Sequence, residues 1–134
     1  MASLTKINSF VENLAEKLID LSGAGLTIAL TNTAHTATWD ELADLTQVSY
    51  TNLSARVITV TSSGQTDGTY SLVLTDLVLT ASGAVGPFRY IYVFDDASTN
   101  DKLCWLYDCG NSVSLADTDT FTVNFPVGAA ITIA

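Results

Sequence analysis

The stretch Phe88–Asp96, which reads FRYIYVFDD, decides the fold class of this chain. Side chains of a β-strand alternate between the two faces of a sheet, so Phe88, Tyr90, Tyr92 and Phe94 fall on one face. Ile91 and Val93 make the other face apolar as well. A run that is apolar on both faces is typical of a strand covered on both sides, by its own core or by a partner.

A second strand of the same kind follows after the polar loop 95–101. Residues 103–108 read LCWLYD and are again apolar on both faces. Aromatic pairs across neighbouring strands stabilise a hairpin of this type. We therefore expect these aromatic side chains to lie in the core or in a subunit interface. We do not expect them to form an open platform for stacking on a sugar or base. The residues are Phe88, Tyr90, Tyr92, Phe94, Trp105 and Tyr107.

The rest of the chain beyond residue 25 has the period-two pattern of short strands separated by turn residues. The turn signals are GQTDG at 64–68 and GAVGP at 83–87. A short helix is predicted at 39–44. The predicted strands are 26–31, 56–62, 70–75 and 77–81 as either one strand or two, 88–95, 102–108, 112–115, 120–125 and 130–133. This spacing predicts an all-β protein, a jelly-roll-like β-sandwich or barrel of about eight strands with one N-terminal α-helix.

The helix is predicted from about residue 9 to residue 22. Leu4, Ile7, Val11, Leu14, Leu18 and Leu21 follow helical spacing, Ser9 and Glu12 fit a capping box, and Gly23 is a good stop. Its outer face would carry Glu12, Asn13, Glu16, Lys17 and Asp20. The helix either caps the core of its own domain or acts as an arm that docks on a neighbouring subunit through Val11, Leu14, Leu18 and Leu21.

Composition limits the classes of function. The 134 residues suit a single domain over 1–134, with the β-sandwich at about 25–134. A net charge of −9, with only five Lys and Arg residues, disfavours nucleic acid and anionic membranes as partners. Residues 1–22 contain no apolar core of a signal peptide, so none is expected. Charged residues make up only 14%, a low value that suits a surface packed against neighbours.

No pattern of catalytic or metal-binding residues stands out. His35 is a lone histidine in a predicted loop, without the neighbours that metal binding or nucleophilic catalysis needs, and we expect it to be solvated. The acidic residues fall mostly in predicted turns and lack the calcium-loop pattern. We therefore expect no enzyme, no cofactor and no metal.

The two cysteines, Cys104 and Cys109, are expected to remain unpaired with each other. In an extended strand their Cα atoms would be about 16 Å apart at about 3.3 Å per residue. A disulfide needs about 4.4–6.8 Å. Buried free thiols and an intermolecular bridge both stay open.

Several stretches together resemble a group of small virion structural proteins of tailed bacteriophages and prophages. They run in the same order through nearly the whole chain: FVENLAEK at 10–17, LTIALTNTA at 26–34, VTSSGQTDGTY at 60–70, TASG at 80–83, VGPFRY at 85–90 and DTFTVNF at 119–125. The chain departs from the group at 103–110, where relatives usually have Gly and a second aromatic near Cys104 and Leu106.

The resemblance implies a non-enzymatic component of the virion, made in the host cytoplasm. The leading interpretation is a capsid cement or decoration protein on the capsid surface. Its partners would be the major capsid protein and further copies of itself, as a dimer or trimer. A tail, neck or fibre-base component and a small carbohydrate-binding β-sandwich module are the alternatives.

Overall fold

The computed structural model describes residues 4–23, 25–126 and 128–133, so the ends of the predicted domain at 1–3 and 134 lie outside it. These residues are mostly β-structure, as predicted, with one short helix, α1 (Phe10–Ala15), and a single 3-10 turn at Leu42–Asp44. The strands in the described residues number nine, which agrees with the expected number of about eight. They are β1 (Leu4–Lys6), β2 (Leu26–Thr31), β3 (Val60–Thr66), β4 (Thr69–Leu74), β5 (Leu77–Thr80), β6 (Val85–Asp95), β7 (Lys102–Leu115), β8 (Thr120–Val123) and β9 (Ile131–Ile133).

The aromatic hairpin is the centre of the fold. Strands β6 and β7 pair antiparallel in the middle of a four-stranded sheet of order β1-β7-β6-β2. The predicted strands 102–108 and 112–115 form one continuous strand, β7. The pairing is irregular between Tyr90 and Phe88, because four residues of β7 there lie opposite Arg89 alone. Bulges of this kind bend and twist a long hairpin so that it can cover a core.

A loop covers the outer edge of β2. The backbone N–H of Ile28 donates to the Arg56 carbonyl, and the N–H of Val48 donates to the Leu30 carbonyl. Tyr50 reinforces this cover, since its hydroxyl accepts from the Leu30 N–H at 2.9 Å. The predicted strand 56–62 is therefore wrong in its first half, because residues 56–58 run along β2 and strand β3 begins at Val60.

Two smaller sheets complete the structure. Strands β3, β4 and β9 form one in that order, and β5 pairs with β8 to form the other, all antiparallel. Buried residues from all three sheets form one hydrophobic cluster. Ile28, Leu72 and Leu79, one from each sheet, are fully buried within it.

The predicted helix 9–22 is wrong in length, since α1 ends at Ala15. The chain leaves the helix at Lys17, whose φ of 67° is left-handed. The N–H of Lys17 donates to the Leu14 carbonyl at 3.3 Å and that of Leu18 donates to the Asn13 carbonyl at 2.8 Å. This pair of bonds is a Schellman motif, which usually has glycine at the left-handed position. Because lysine is not a recognisable stop signal, this end of the helix could not be predicted from local sequence.

The capping box is also wrong. Ser9 is the N-cap, but its side chain makes no capping bond, and its Oγ is buried without a hydrogen-bond partner. Asn13, predicted on the outer face of the helix, is buried.

The N-terminal segment packs on its own domain. Strand β1 pairs with β7, and Phe10 packs edge-on against Trp105 at 6.0 Å between ring centroids. Ile7, Ile19 and Leu21 are buried in the shared core. The segment was predicted either to cap its own domain or to act as an arm on a neighbouring subunit. Its geometry is that of a cap that is an integral part of the fold.

Candidate docking site

An apolar groove lies where α1 meets strands β1 and β9. It consists of two adjoining depressions of about 560 and 730 Å³, which share Leu14 and Ile133. We call it the α1 groove. Its apolar lining includes Leu4, Val11, Leu14, Leu18, Ile131 and Ile133.

Most of the large apolar side chains that are exposed among the described residues line the groove. Val11 is 53% exposed, Leu18 43%, Ile133 40% and Leu4 38%. Single exposed apolar residues are ordinary on a protein surface, but a contiguous group marks an interaction site.

Three of the four residues predicted to dock on a subunit lie in this groove with accessible side chains. Val11 and Leu18 are exposed, and Leu14 is half-buried between them. Leu21 is the exception and a correction, since its side chain is buried in the core and offers almost no surface to a partner. The cause is the early end of α1, which sends the chain inward after Leu18 and breaks the predicted helical stripe.

Two strand edges border the groove. Strand β1 is an outer strand of the four-stranded sheet, and β9 is an outer strand of the three-stranded sheet. An outer strand presents unpaired N–H and C=O groups to any chain that lies alongside it. The site therefore combines apolar contact surface with backbone hydrogen-bonding capacity.

The charges of the groove differ from those of the acidic surface around it. Lys6 and Lys17 line it, and neither forms an ion pair within the described residues. In contrast, Lys102 binds Glu41 at 2.8 Å, and Arg89 binds Asp108 through two bonds of 2.8 and 3.1 Å. The half of the groove next to β1 has Lys6 and no acidic residue in its lining.

The acidic residues of the other half already have hydrogen-bond partners. The Asp20 carboxylate accepts from the Ser22 hydroxyl at 2.7 Å and from the Ser22 N–H at 2.9 Å, and these bonds lower the pKa of Asp20. Asp95 is buried, where it accepts from the backbone N–H groups of Asp20 and Ala97. These bonds hold the segment after α1 against the end of β6.

The aromatic residues of the hairpin lie mainly in the core. Tyr90 is the one that remains half-exposed, with the Arg89 guanidinium 5.4 Å from its ring centroid. A stacking platform needs accessible ring faces, so the buried rings cannot supply one. The buried residues of the set are Phe88, Tyr92, Phe94, Trp105 and Tyr107.

His35 has structural neighbours that the sequence did not indicate. Its Nδ1 lies 2.9 Å from the Tyr92 hydroxyl, and its ring packs against Trp39 at 5.9 Å between centroids. The ring is therefore only partly solvated, and burial lowers the pKa of His35. Within the described residues no carboxylate or serine hydrogen-bonds to this ring, so it lacks the neighbours of a catalytic base.

The cysteines are both free thiols. Cys104 is buried, and Cys109 is half-buried beside the Arg89–Asp108 pair. Burial raises the pKa of both thiols, which keeps them protonated and weakly reactive.

The described ranges contain no group of three or more His, Cys, Asp and Glu side chains arranged to hold a metal ion. Within the same residues, none of the helical structure is long and apolar enough to cross a membrane. Comparison with known proteins found no matching family model, no matching curated protein and no matching solved structure.

Proposed function

We propose that this chain is a non-enzymatic structural protein of a bacteriophage virion, in the specific role of a capsid cement protein. In this role it binds the major capsid protein at the capsid surface and bridges neighbouring subunits. The proposal includes the jelly-roll-like arrangement that the resemblance implies for the sandwich. The observation that carries it is the α1 groove, an apolar binding surface bordered by two strand edges.

The sequence resemblance and the surface support the same role. The ordered stretches from residue 10 to residue 125 resemble virion structural proteins, and 10–17 covers α1 itself. A cement protein needs an extended contact surface rather than a pocket for a small ligand. The α1 groove is open and apolar, as an interface for a protein chain is at its centre.

The strength of the groove as a single contact is modest. Leu4, Val11, Leu18 and Ile133 are each about half exposed. At about 1.5–3 kcal/mol for each fully exposed side chain, covering all four contributes about 3–5 kcal/mol. Association itself costs about 4–15 kcal/mol in lost translational and rotational freedom. One groove alone therefore binds weakly, and an oligomer that engages several sites on a repeating lattice binds tightly.

The first experiment measures copy number. Particles of the phage that encodes the chain are purified, and the protein is quantified against the major capsid protein by mass spectrometry. We expect a fixed ratio that corresponds to hundreds of copies per particle. Tens of copies or fewer would assign the chain to the tail, the neck or a fibre base, and its absence from the particle would contradict the proposal.

The second experiment tests the groove. Val11→Asp places a charge in the groove, and it spares α1 because an acidic residue in the first turn favours a helix. Val78→Asp is the matched control, since Val78 is also 53% exposed but lies on β5. We expect Val11→Asp to abolish rebinding to particles stripped of the protein, while Val78→Asp rebinds normally. Equal rebinding of the two variants would exclude the α1 groove as the contact.

A further inference from the structure

We propose that two copies of this chain pair antiparallel along strand β3, which joins their three-stranded sheets into one sheet of six strands. The twofold axis passes between the Gly64 residues of the two copies. The inference concerns self-association and is independent of what the α1 groove binds.

The first argument is the length of the uncovered edge. Strand β3 is an outer strand of seven residues, and all of 61–66 is exposed. The other uncovered edges at the groove, β1 and β9, have three residues each, and the outer edge of β2 is covered by its loop. Among the outer strands of the three sheets, β3 is the longest.

The turn of the hairpin shows which backbone groups face outward. Asp67 and Gly68 have φ of 51° and 83°, and Thr66 pairs with Thr69 across them. A two-residue turn of this kind closes with a hydrogen bond between its flanking residues. Because bonding alternates along an antiparallel pair, Gly64 bonds to β4, while the N–H and C=O groups of Ser63 and Gln65 point away from it.

These outward groups permit a register in which Ser63 of each copy lies opposite Gln65 of the other. The two pairs then form four backbone hydrogen bonds. Gly64 then faces Gly64 of the second copy in the non-bonded position between them. In that position the Cα atoms are about 4.5 Å apart, and the side chains come closest.

Gly64 is the second and independent argument. Its φ is not in the left-handed region, and a Cβ there would meet nothing within 4 Å in its own chain. The fold of a single copy therefore gives no reason for glycine in the interior of this strand. Glycine within a strand is often found where another backbone approaches closely, which the twofold axis supplies.

Charge favours the same surface. The chain has a net charge of −9, yet residues 60–66 contain no ionisable side chain. The nearest acid along the chain is Asp67, and in the proposed register the two Asp67 residues are six positions apart along the strand. That is about 20 Å at about 3.3 Å per residue, beyond the screening distance of about 8 Å at physiological salt. A second copy can therefore approach here without repulsion at close range.

The sharpest test is disulfide trapping in a Cys109→Ser background. Gly64→Cys places two thiols on the axis, where the expected Cα separation of about 4.5 Å permits a disulfide. Thr66→Cys is the matched control on the same strand, and its two Cα atoms would be about 13 Å apart. We expect a covalent dimer from dilute, oxidised Gly64→Cys and none from Thr66→Cys. Equal crosslinking of both variants, or none of either, would overturn the proposal.

A second measurement uses the chain without new cysteines. Analytical ultracentrifugation over a concentration series is expected to give a monomer–dimer equilibrium. Ser63→Pro removes one outward donor in each copy, two of the four bonds, while leaving the pairing with β4 intact. We expect the dimer dissociation constant to rise by at least about tenfold. An unsubstituted chain that stays monomeric at millimolar concentration would refute the pairing.

Discussion

Tyr92 offers the most direct test of the central hairpin as core. The residue is fully buried between Ala29 of β2 and Leu106 of β7, and its hydroxyl contacts His35. Replacing a buried aromatic by alanine leaves a cavity and costs about 3–5 kcal/mol. Tyr92→Phe keeps the ring and removes only the hydroxyl, so it should cost about 0.5–1.5 kcal/mol. The difference between the two variants measures the packing of the ring.

Urea unfolding followed by tryptophan fluorescence gives the loss in free energy of unfolding for each of the two variants. Trp105 is in the core, and the Trp39 ring centroid lies 6.5 Å from that of Tyr92. The fluorescence of both tryptophans therefore reports on the packing around Tyr92. Tyr90→Ala is the control on the same strand, where a half-exposed ring should cost about 1–2 kcal/mol. A loss below about 1 kcal/mol for Tyr92→Ala, or an equal loss for Tyr90→Ala, would refute the assignment of Tyr92 to the core.

Three further predictions concern backbone packing, pH and salt. Gly25→Ala should cost about 1–3 kcal/mol in chemical unfolding, because its Cβ would overlap the Asp95 carboxylate and lie 2.9 Å from the Ala97 Cβ. Gly64→Ala should change stability by no more than about 0.5 kcal/mol, and a similar cost for both would contradict this packing. Burial lowers the pKa of His35 in the fold, so folding favours the neutral ring. That stability is complete above the unfolded pKa of about 6.5 and is lost as the pH falls through the folded value. His35→Gln should show a shallower fall in melting temperature from pH 7.5 to 5, and identical curves would argue against it. Finally, release from particles should stay low as salt rises from about 0.1 to 1 M, where the Debye length falls from about 10 to 3 Å, because the groove binds mainly through apolar contact. Complete release at 1 M would show that charge holds the protein on the particle.

Local patterns in the sequence were sufficient for most of the strands. The alternation at 26–31 predicted β2 with its observed bounds, because side-chain period and burial act within the strand itself. The predicted turn at 64–68 contains the observed turn, since the Asp67–Gly68 pair tolerates positive φ at both positions. The central hairpin was equally evident, because a run that is apolar on both faces can only be stable when covered.

The helix and the binding surface depended on more than local patterns. Helical spacing continued to Leu21, but the backbone bonds of Lys17 and Leu18 end the helix early, and lysine is not a recognisable stop. As a result Leu21 is in the core while Val11 and Leu18 are at the surface. The period of a helix shows which residues share a face, and only the packing against β7 decides what that face contacts.

The sequence by itself determined the fold class, the hairpin core and the strand periodicity, because these follow from side-chain alternation and turn chemistry within a few residues. The tertiary structure alone decided the sheet order, in which β1 pairs with β7 about a hundred residues away and β9 pairs with β4. Strand partners are chosen by the burial of the whole chain, and a three-residue strand such as β1 has too little pattern to specify its own. The α1 groove and the uncovered edge of β3 exist because of that order, so no local stretch of sequence could have predicted them.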